Sequence, residues 1–385
     1  MAGFAHGLII GKFYPPHAGH RFLVRAAAAS CAGVSVVVMA ADVETIPLAR
    51  RVAWLREAFS DVPHVSVVGI MDNLAVDYGS EEAWEGHVGL MLEALAESAH
   101  RDVPVDAVFT SEAYGGEMAR RFSAADVRLD PARATFAVSG TAVRADPAGH
   151  WGFLEPPVRA WLARRVVVVG AESTGTTTLS RDLAEALRAL GGAHAWTGWV
   201  PEYGRELTVV KLAVAKAAAN AAGAPEPSVF DLEWRDADFL EVALRQTADE
   251  DRAARDGGPV LVCDTDALAT TVWQERYMGA TTPEVHAAAD AMPPRALYLL
   301  TGDEDVPFED DGLRDGEHIR GWMTGRFREV LSARGVPWLE VRGDRAQRLA
   351  QALAPLDALL VRGTGLGEPL PQKGAGHAGA PAGGE

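Results

Sequence analysis

The chain has 385 residues, and its 36 Lys and Arg against 53 Asp and Glu leave a formal net charge of −17. That balance argues against a nucleic-acid binder, which carries a basic face or stripe. Hydrophobic residues at 48% and charged residues at 23% fit a soluble globular protein of two domains.

Lysine occurs only at Lys12, Lys211, Lys216 and Lys373, so arginine must supply the local positive charge of any phosphate site. Cys31 and Cys263 sit in or beside apolar runs, and neither has metal-ligand spacing. The N-terminus lacks the basic region of a signal peptide, and the uncharged run 26–41 is too short to span a bilayer. The expectation is a reduced, cytoplasmic protein with no membrane and no nucleic-acid partner; homo-oligomerisation is left open.

In chain order, residues 8–10 read as a strand, 11–20 as a loop, and the stretch to about Ser30 as a helix. Residues 33–39 form a second strand, 46–59 a helix with Trp54, Leu55, Ala58 and Phe59 on one side, 65–70 a strand, 82–98 a helix and 107–110 a strand. Such alternation implies a parallel sheet covered by helices, with ligands beyond the carboxyl ends of its strands. Residues 11–20, GKFYPPHAGH, start at such an end. Gly11 and Gly19 let backbone approach a ligand. His17 and His20 share a face at a helix start, where free N–H groups suit phosphate, and imidazoles there can donate to phosphoryl oxygens as charge builds. Further on, 138–144 reads VSGTAVR: Ser139 or Thr141 can cap a helix and bond phosphate, and Arg144 offers a planar cationic fork. Arg50 and Arg51 open a helix, from which they could reach a phosphate, but as isolated cations they read first as a solvated face.

The pattern G-x-F-x-P-x-H-x-G-H followed by S-G-T-x-V-R resembles the signatures of the nucleotidyltransferase superfamily of adenylyl- and cytidylyltransferases. The resemblance implies a Rossmann-like fold that joins a nucleoside triphosphate to a phosphate-bearing partner. It assigns Gly11, Lys12, Phe13, Gly19, Ser139 and Thr141 to ATP and His17, His20 and Arg144 to catalysis.

Residues 151–162 read as a helix, and Arg164 and Arg165 mark a boundary before a second α/β unit. There a buried strand (166–169), the loop GAESTGTT (170–177) and a helix have the layout of a phosphate-binding P-loop. One position departs from it: Thr176 stands where the lysine belongs. Gly170, Glu172, Ser173, Thr174, Gly175, Thr176, Thr177 and Thr178 are the candidate ATP contacts. A helix over 208–222, a loop over 223–228 and a helix over 231–255 lead to the strand 259–263, which delivers Asp264 and Asp266 at its carboxyl end. A carboxylate facing a P-loop suits Mg²⁺ held opposite Thr177, so Asp264 and Thr177 are the candidate metal ligands, and either Asp264 or Asp266 can orient a hydroxyl. Strands over 297–300 and 336–341 and a helix over 345–360 follow. Between them, an acidic-glycine turn with Arg314, His318 and Arg320 suits a lid closing arginines over phosphates. Residues 363–385 are Gly/Pro/Ala-rich and expected to be disordered.

The order P-loop, Glu202-Tyr203-x-Arg205, Asp264-Thr265-Asp266, then 310–314 DDGLR resembles the ribosylnicotinamide kinase domain of NadR-type proteins. An adenylyltransferase domain followed by this kinase domain matches that family over roughly residues 5–362. The resemblance implies an α/β chain with a Rossmann-like domain at 1–162, a P-loop NTPase domain of nucleoside-kinase type at 163–362 and a tail at 363–385. It also implies ATP, nicotinamide mononucleotide and nicotinamide riboside as ligands, with Mg²⁺. Asn73 and Trp84 then fall at the mononucleotide site, Glu202, Tyr203 and Arg205 at the riboside, and Arg314 and Arg320 at ATP. Some relatives add an N-terminal helix-turn-helix repressor domain; the first motif starts within a dozen residues of the N-terminus, so that domain and its role are not expected. Two alternatives stand beside this one: a single-activity adenylyltransferase with a C-terminal ATP-sensing module, and a nucleotidyltransferase for a different phosphorylated substrate.

Overall fold

The computed structural model describes residues 3–304, 306–308, 317–361 and 365–373. The chain divides into two compact units, Met1–Val158 with Gly363–Glu385, and Arg159–Arg362. No helix among the described residues is long and apolar enough to cross a membrane.

The first unit runs β1 (Phe4–Gly11), α1 (Ala18–Ser30), β2 (Cys31–Ala40), α2 (Leu48–Ala58), β3 (Val65–Met71), β4 (Val76–Asp77), α3 (Glu81–Ala96), β5 (Ala107–Thr110), α4 (Gly115–Phe122), β6 (Ala125–Arg128) and α5 (Gly140–Ala145). Its main sheet has the order β3-β2-β1-β5-β6, and every pairing is parallel. The strand order turns back at β1, so the loop after β1 opens into the crevice where such sheets bind ligands. Strand β2 is nearly all buried because helices cover both of its faces. One face packs Ile9, Val36 and Val67 with Leu23 and Val24 of α1 and Val52 and Leu55 of α2. The other packs Leu8, Val37 and Val68 with Trp84, Met91 and Leu95 of α3.

Helix α6 (Pro156–Leu162) leads to β7 (Arg164–Gly170), α7 (Thr176–Arg188), β8 (Gly198–Val200), α8 (Tyr203–Ala222), α9 (Asp236–Asp256), β9 (Val260–Asp264), α10 (Ala267–Met278), α11 (Pro283–Asp290), β10 (Arg295–Thr301), α12 (Arg320–Arg334), β11 (Trp338–Val341) and α13 (Arg345–Val361). The sheet order is β11-β10-β7-β9-β8, again all parallel. β7 lies at its centre, which is why Val166–Val169 is a continuous apolar run rather than an alternating one. Leu179, Leu183, Ala184 and Leu187 form the buried stripe of α7 against this sheet.

Elements with apolar runs match their sequence signal; α4, β6, α10, α11 and α12 do not announce themselves. β6, sequence ADVR, is an edge strand with no buried residue, so it lacks the apolar run by which strands are recognised. One expectation is corrected. Residues 365–373 are not a structureless tail: they return to the first unit, where β12 (Gln372–Lys373) pairs in parallel with β4. Pairing with residues some 300 positions earlier leaves no local trace in a Gly/Pro-rich composition.

Candidate functional site

In the first unit the loop after β1 is held from inside. Arg51, fully buried, donates to Lys12 O, Ile46 O and Glu44 Oε2. Lys12 Nζ pairs with the other oxygen of Glu44 at 2.8 Å. Burial works to raise the Glu44 carboxyl, but hydrogen bonds from Lys12 and Arg51 outweigh it and hold it below the usual range. Arg51 is therefore a brace for the loop, not the solvated cation its position at a helix start suggested. Phe13 takes a left-handed φ of 46° and is buried. That conformation is costly for an aromatic residue and persists only where packing imposes it.

His17 caps α1 and is buried; His20 lies one turn on, half-buried. Their rings stack with centroids 3.7 Å apart, and Phe13 closes on His20 at 4.7 Å. The backbone N–H of His17 donates to His20 Nδ1 at 3.3 Å. That bond puts the His20 proton on Nε2 and leaves Nε2–H as a donor. Burial lowers the His17 imidazole to about 3, with the charge of Arg133 adding to it. His20 is also held well below the usual imidazole range, by burial first and then by His17 and Arg133. Both rings are neutral at physiological pH. At Gly19 a Cβ would come within 3.1 Å of the His17 ring and would press that ring a few tenths of an ångström out of place; at Gly11 it would make ordinary contact.

Ser139 caps α5 by accepting from Ala142 N. Arg144 reaches back across 130 residues to donate through Nη1 to Tyr14 O, and its Nη2 lies 3.3 Å from Thr141 Oγ1. The two distant motifs therefore meet at Tyr14. Asn73, at the carboxyl end of β3, exchanges hydrogen bonds with Asp42 N and Oδ2. Trp84 is a correction. It lies in the core with α3, its Nε1 donates to Tyr78 O at 3.1 Å, and Arg121 covers its ring at 5.1 Å. Its faces and its donor are spent within the fold, so it presents no surface for stacking a ligand.

In the second unit the P-loop leads from β7 into α7. Gly175, the N-cap of α7, has φ 85°, a conformation that excludes a side chain at no cost only for glycine. Thr174 Oγ1 is bound to Ala171 O and to Thr301 Oγ1 of β10, both at 2.6 Å. Gly170 lies against Thr301, Glu172 pairs with Arg276 of α10 at 2.7 Å, and Ser173 O accepts from Arg320 at 3.4 Å. Arg320 is buried and also donates to Val306 O and Asp303 O, so it braces the loop backbone. Arg348 of α13 does the same from beneath, donating to Thr174 O, Gly302 O and Gly343 O. Sequence reading missed Arg276 and Arg348, which carry no motif. Arg314 lies outside the described residues, as does the 310–314 stretch.

Asp264 and Asp266, two residues apart, have different fates. Asp264 is buried at the end of β9 beneath the P-loop. Burial raises its carboxyl to about 6, opposed by hydrogen bonds from Thr177 and Thr176 and by the charges of Arg181 and Arg205. Thr176, in the lysine position, thus turns its hydroxyl to this carboxylate. Asp266 is corrected from the catalytic set: fully buried, it accepts from Ala269 N as the cap of α10, from Tyr298 OH at 2.7 Å and from Arg295 Nε at 3.1 Å. Arg295 also pairs with buried Glu250 at 2.7 Å. Asp266 belongs to an internal ionic network.

A cavity of about 290 Å³ opens beside Asp264, lined by Thr177, Thr178, Arg181, Trp199, Pro201, Glu202, Arg205 and Asp264. Arg181 covers the Trp199 ring at 4.7 Å. Trp199 stands two residues before the Pro201-Glu202 stretch, and that adjacency was its only sequence signal. Tyr203, next to this cleft in sequence, is held by Glu241 and stacked under Arg245.

A carboxylate paired with the P-loop hydroxyl fits an ion bound mainly through substrate phosphates, as Mg²⁺ is, with one or two protein ligands and retained waters. Among the described residues no cluster of three or more His, Cys, Asp or Glu could hold a metal ion by itself.

Fold and loops define an α/β chain of two parallel sheets flanked by helices, a Rossmann-like unit followed by a unit that carries a P-loop. The family described as AAA domain matches residues 165–348, within the second unit. The chain is 25% identical over 323 residues to the trifunctional NAD biosynthesis/regulator protein NadR of Escherichia coli (strain K12), covering 80% of this chain and 71% of that one. It is 24% identical to the protein of the same name from Salmonella typhimurium (strain LT2), over 87% of this chain and 78% of that one. Crystal structures of a NadR protein, in complex with NR and with NAD and AMP-PNP, superpose with a TM-score of 0.65, at 23% and 21% identity; they cover 93% and 94% of this chain, and 96% and 97% of their own. Along both units the chain is NadR-like.

Proposed function

We propose that the chain is an NAD biosynthesis and salvage enzyme whose first unit transfers an adenylyl group from ATP to nicotinamide mononucleotide, giving NAD and pyrophosphate. The observation that carries this reading is the meeting of the stacked His17–His20 pair with Arg144 on one loop, through Tyr14. In the reaction a phosphate oxygen of the mononucleotide forms a bond to the α-phosphorus of ATP as the bond to the pyrophosphate oxygen breaks. No protein nucleophile is required, so the protein positions groups and stabilises charge. His20, neutral with its proton on Nε2, donates a hydrogen bond to the phosphoryl oxygens; Arg144 supplies permanent positive charge. Lys12, turned to Glu44, organises the loop and does not approach phosphate unless that pair opens.

The second unit is proposed to bind ATP and phosphorylate the 5′-hydroxyl of nicotinamide riboside, the product being the first unit's substrate. Asp264 orients that hydroxyl or holds Mg²⁺ with Thr177, and the ion neutralises phosphate charge when bound. The cleft of Arg181, Arg205, Glu202 and Trp199 receives the acceptor. Arg181 and Arg205, which act electrostatically on Asp264, supply positive charge on the side where the P-loop has Thr176. Thr176 itself favours a second reading, in which this unit senses ATP without transferring phosphate.

ATP, Mg²⁺ and nicotinamide riboside given to the full chain test the scheme by separating mononucleotide from NAD. NAD from the riboside requires both activities. NAD only from added mononucleotide supports the sensing alternative, and none from either substrate ends the adenylyltransferase assignment.

A further inference from the structure

Residues 365–373 cross the carboxyl-end loops of the first unit's sheet. Gly367 O accepts from Tyr14 OH at 2.8 Å, and Gly367 N donates to Thr45 Oγ1 at 2.7 Å. Thr45 N in turn donates to Tyr14 OH. Beyond them, Gln372 and Lys373 pair with Val76 and Asp77, and Tyr78 N donates to Lys373 O. The segment thus touches the loops after β1, β2 and β3 together. Between these anchors Glu368 Oε2 lies 3.5 Å from Arg144 Nη2.

The two partners of that ion pair differ. The Arg144 side chain is 7% exposed and that of Glu368 79%. Arg144 Nε, buried, has no hydrogen-bond partner among the described residues. A buried guanidinium with donor capacity to spare, paired with a carboxylate that solvent reaches, is a seat for an anion held by a replaceable one. The anchors are also weak: a two-residue strand pair is marginal by itself, and the remaining bonds are few.

We propose that residues 365–373 are a built-in strap in which Glu368 occupies the seat a nucleotide phosphate takes on Arg144, so that ATP binding to the first unit and release of the strap are one competition. This rests on reading the first unit as the adenylyltransferase. Triphosphate displaces Glu368, the Tyr14 and Thr45 bonds to Gly367 loosen, and the strand pair with β4 opens. The strap therefore lowers affinity for ATP without touching the chemical step.

The test uses the full chain and Glu368→Gln, which keeps shape and removes charge at an exposed site. Expected is a fall in the KM for ATP of about two- to fivefold, the range of an exposed ion pair, with kcat unchanged. The difference should fade in high salt. An unchanged or raised KM overturns the proposal. Hydrogen exchange gives a readout free of turnover: with ATP, exchange at the Gly367 and Tyr78 amides should rise, and unchanged or slower exchange overturns the strap. If neither chain makes NAD, the activity reading fails while the exchange result still decides the strap.

Discussion

His17 donates its backbone N–H to His20 Nδ1 while the two rings stack 3.7 Å apart. The first contact sets the tautomer of His20, and burial keeps both rings neutral. The pair is thus uncharged, and in the proposed adenylyl transfer the His20 Nε2–H is the donor toward phosphate.

Replacing His20 with alanine is expected to cut adenylyl transfer at least tenfold with the fold intact. A preorganised donor at a developing oxyanion is worth about 2.7–4 kcal/mol, so the loss should fall on kcat more than on KM. Steady-state rates with ATP and mononucleotide, beside a circular dichroism melt, check it.

Stability should depend on pH through His17. Its folded value of about 3 lies below the unfolded 6.5, so the unfolded chain binds the proton more readily. Stability from the neutral ring is full above pH 6.5 and is lost as pH falls from there toward 3. Urea titrations between pH 8 and 4 should show the gap between the natural chain and His17→Gln narrowing as the pH drops.

Phosphoryl transfer by the second unit should decline below about pH 6, where the Asp264 carboxyl gains its proton. The sign follows from the proposed role, in which the ionised form holds metal or orients the hydroxyl. Asp264→Asn should lower riboside phosphorylation at least a hundredfold and flatten that limb, measured as initial rates from pH 5 to 8.

Asp266→Ala should act on folding instead. Removing one member of a buried ionic network typically costs about 3–5 kcal/mol, since Arg295 and Tyr298 lose their acceptor. Thermal unfolding should show a lowered midpoint for the second unit, in contrast to Asp264→Asn.

Trp84→Ala should likewise lower stability by about 3–5 kcal/mol through lost core volume. A change confined to the KM for mononucleotide, with the melting point kept, would return Trp84 to the ligand site.

What the amino-acid order determines by itself is local. Central strands show as apolar runs, helices as stripes such as Leu179, Leu183 and Leu187, and tight loops as glycines at required backbone positions. The placement of the loops at 11–20 and 170–177 after β1 and β7 was legible for that reason. The fate of a side chain is not local. Asp264 and Asp266 read alike in sequence, yet one sits under Thr177 and the other is consumed by Arg295 and Tyr298, because the end of β9 points one toward the loop and the next turn points the other into the core. Arg144 meeting Tyr14, Arg51 bracing Lys12, Trp84 sealing α3 and Glu368 returning to Arg144 are likewise decided by packing between segments far apart in the chain. Burial and hydrogen-bond satisfaction select those contacts, and neither leaves a periodic mark in the sequence.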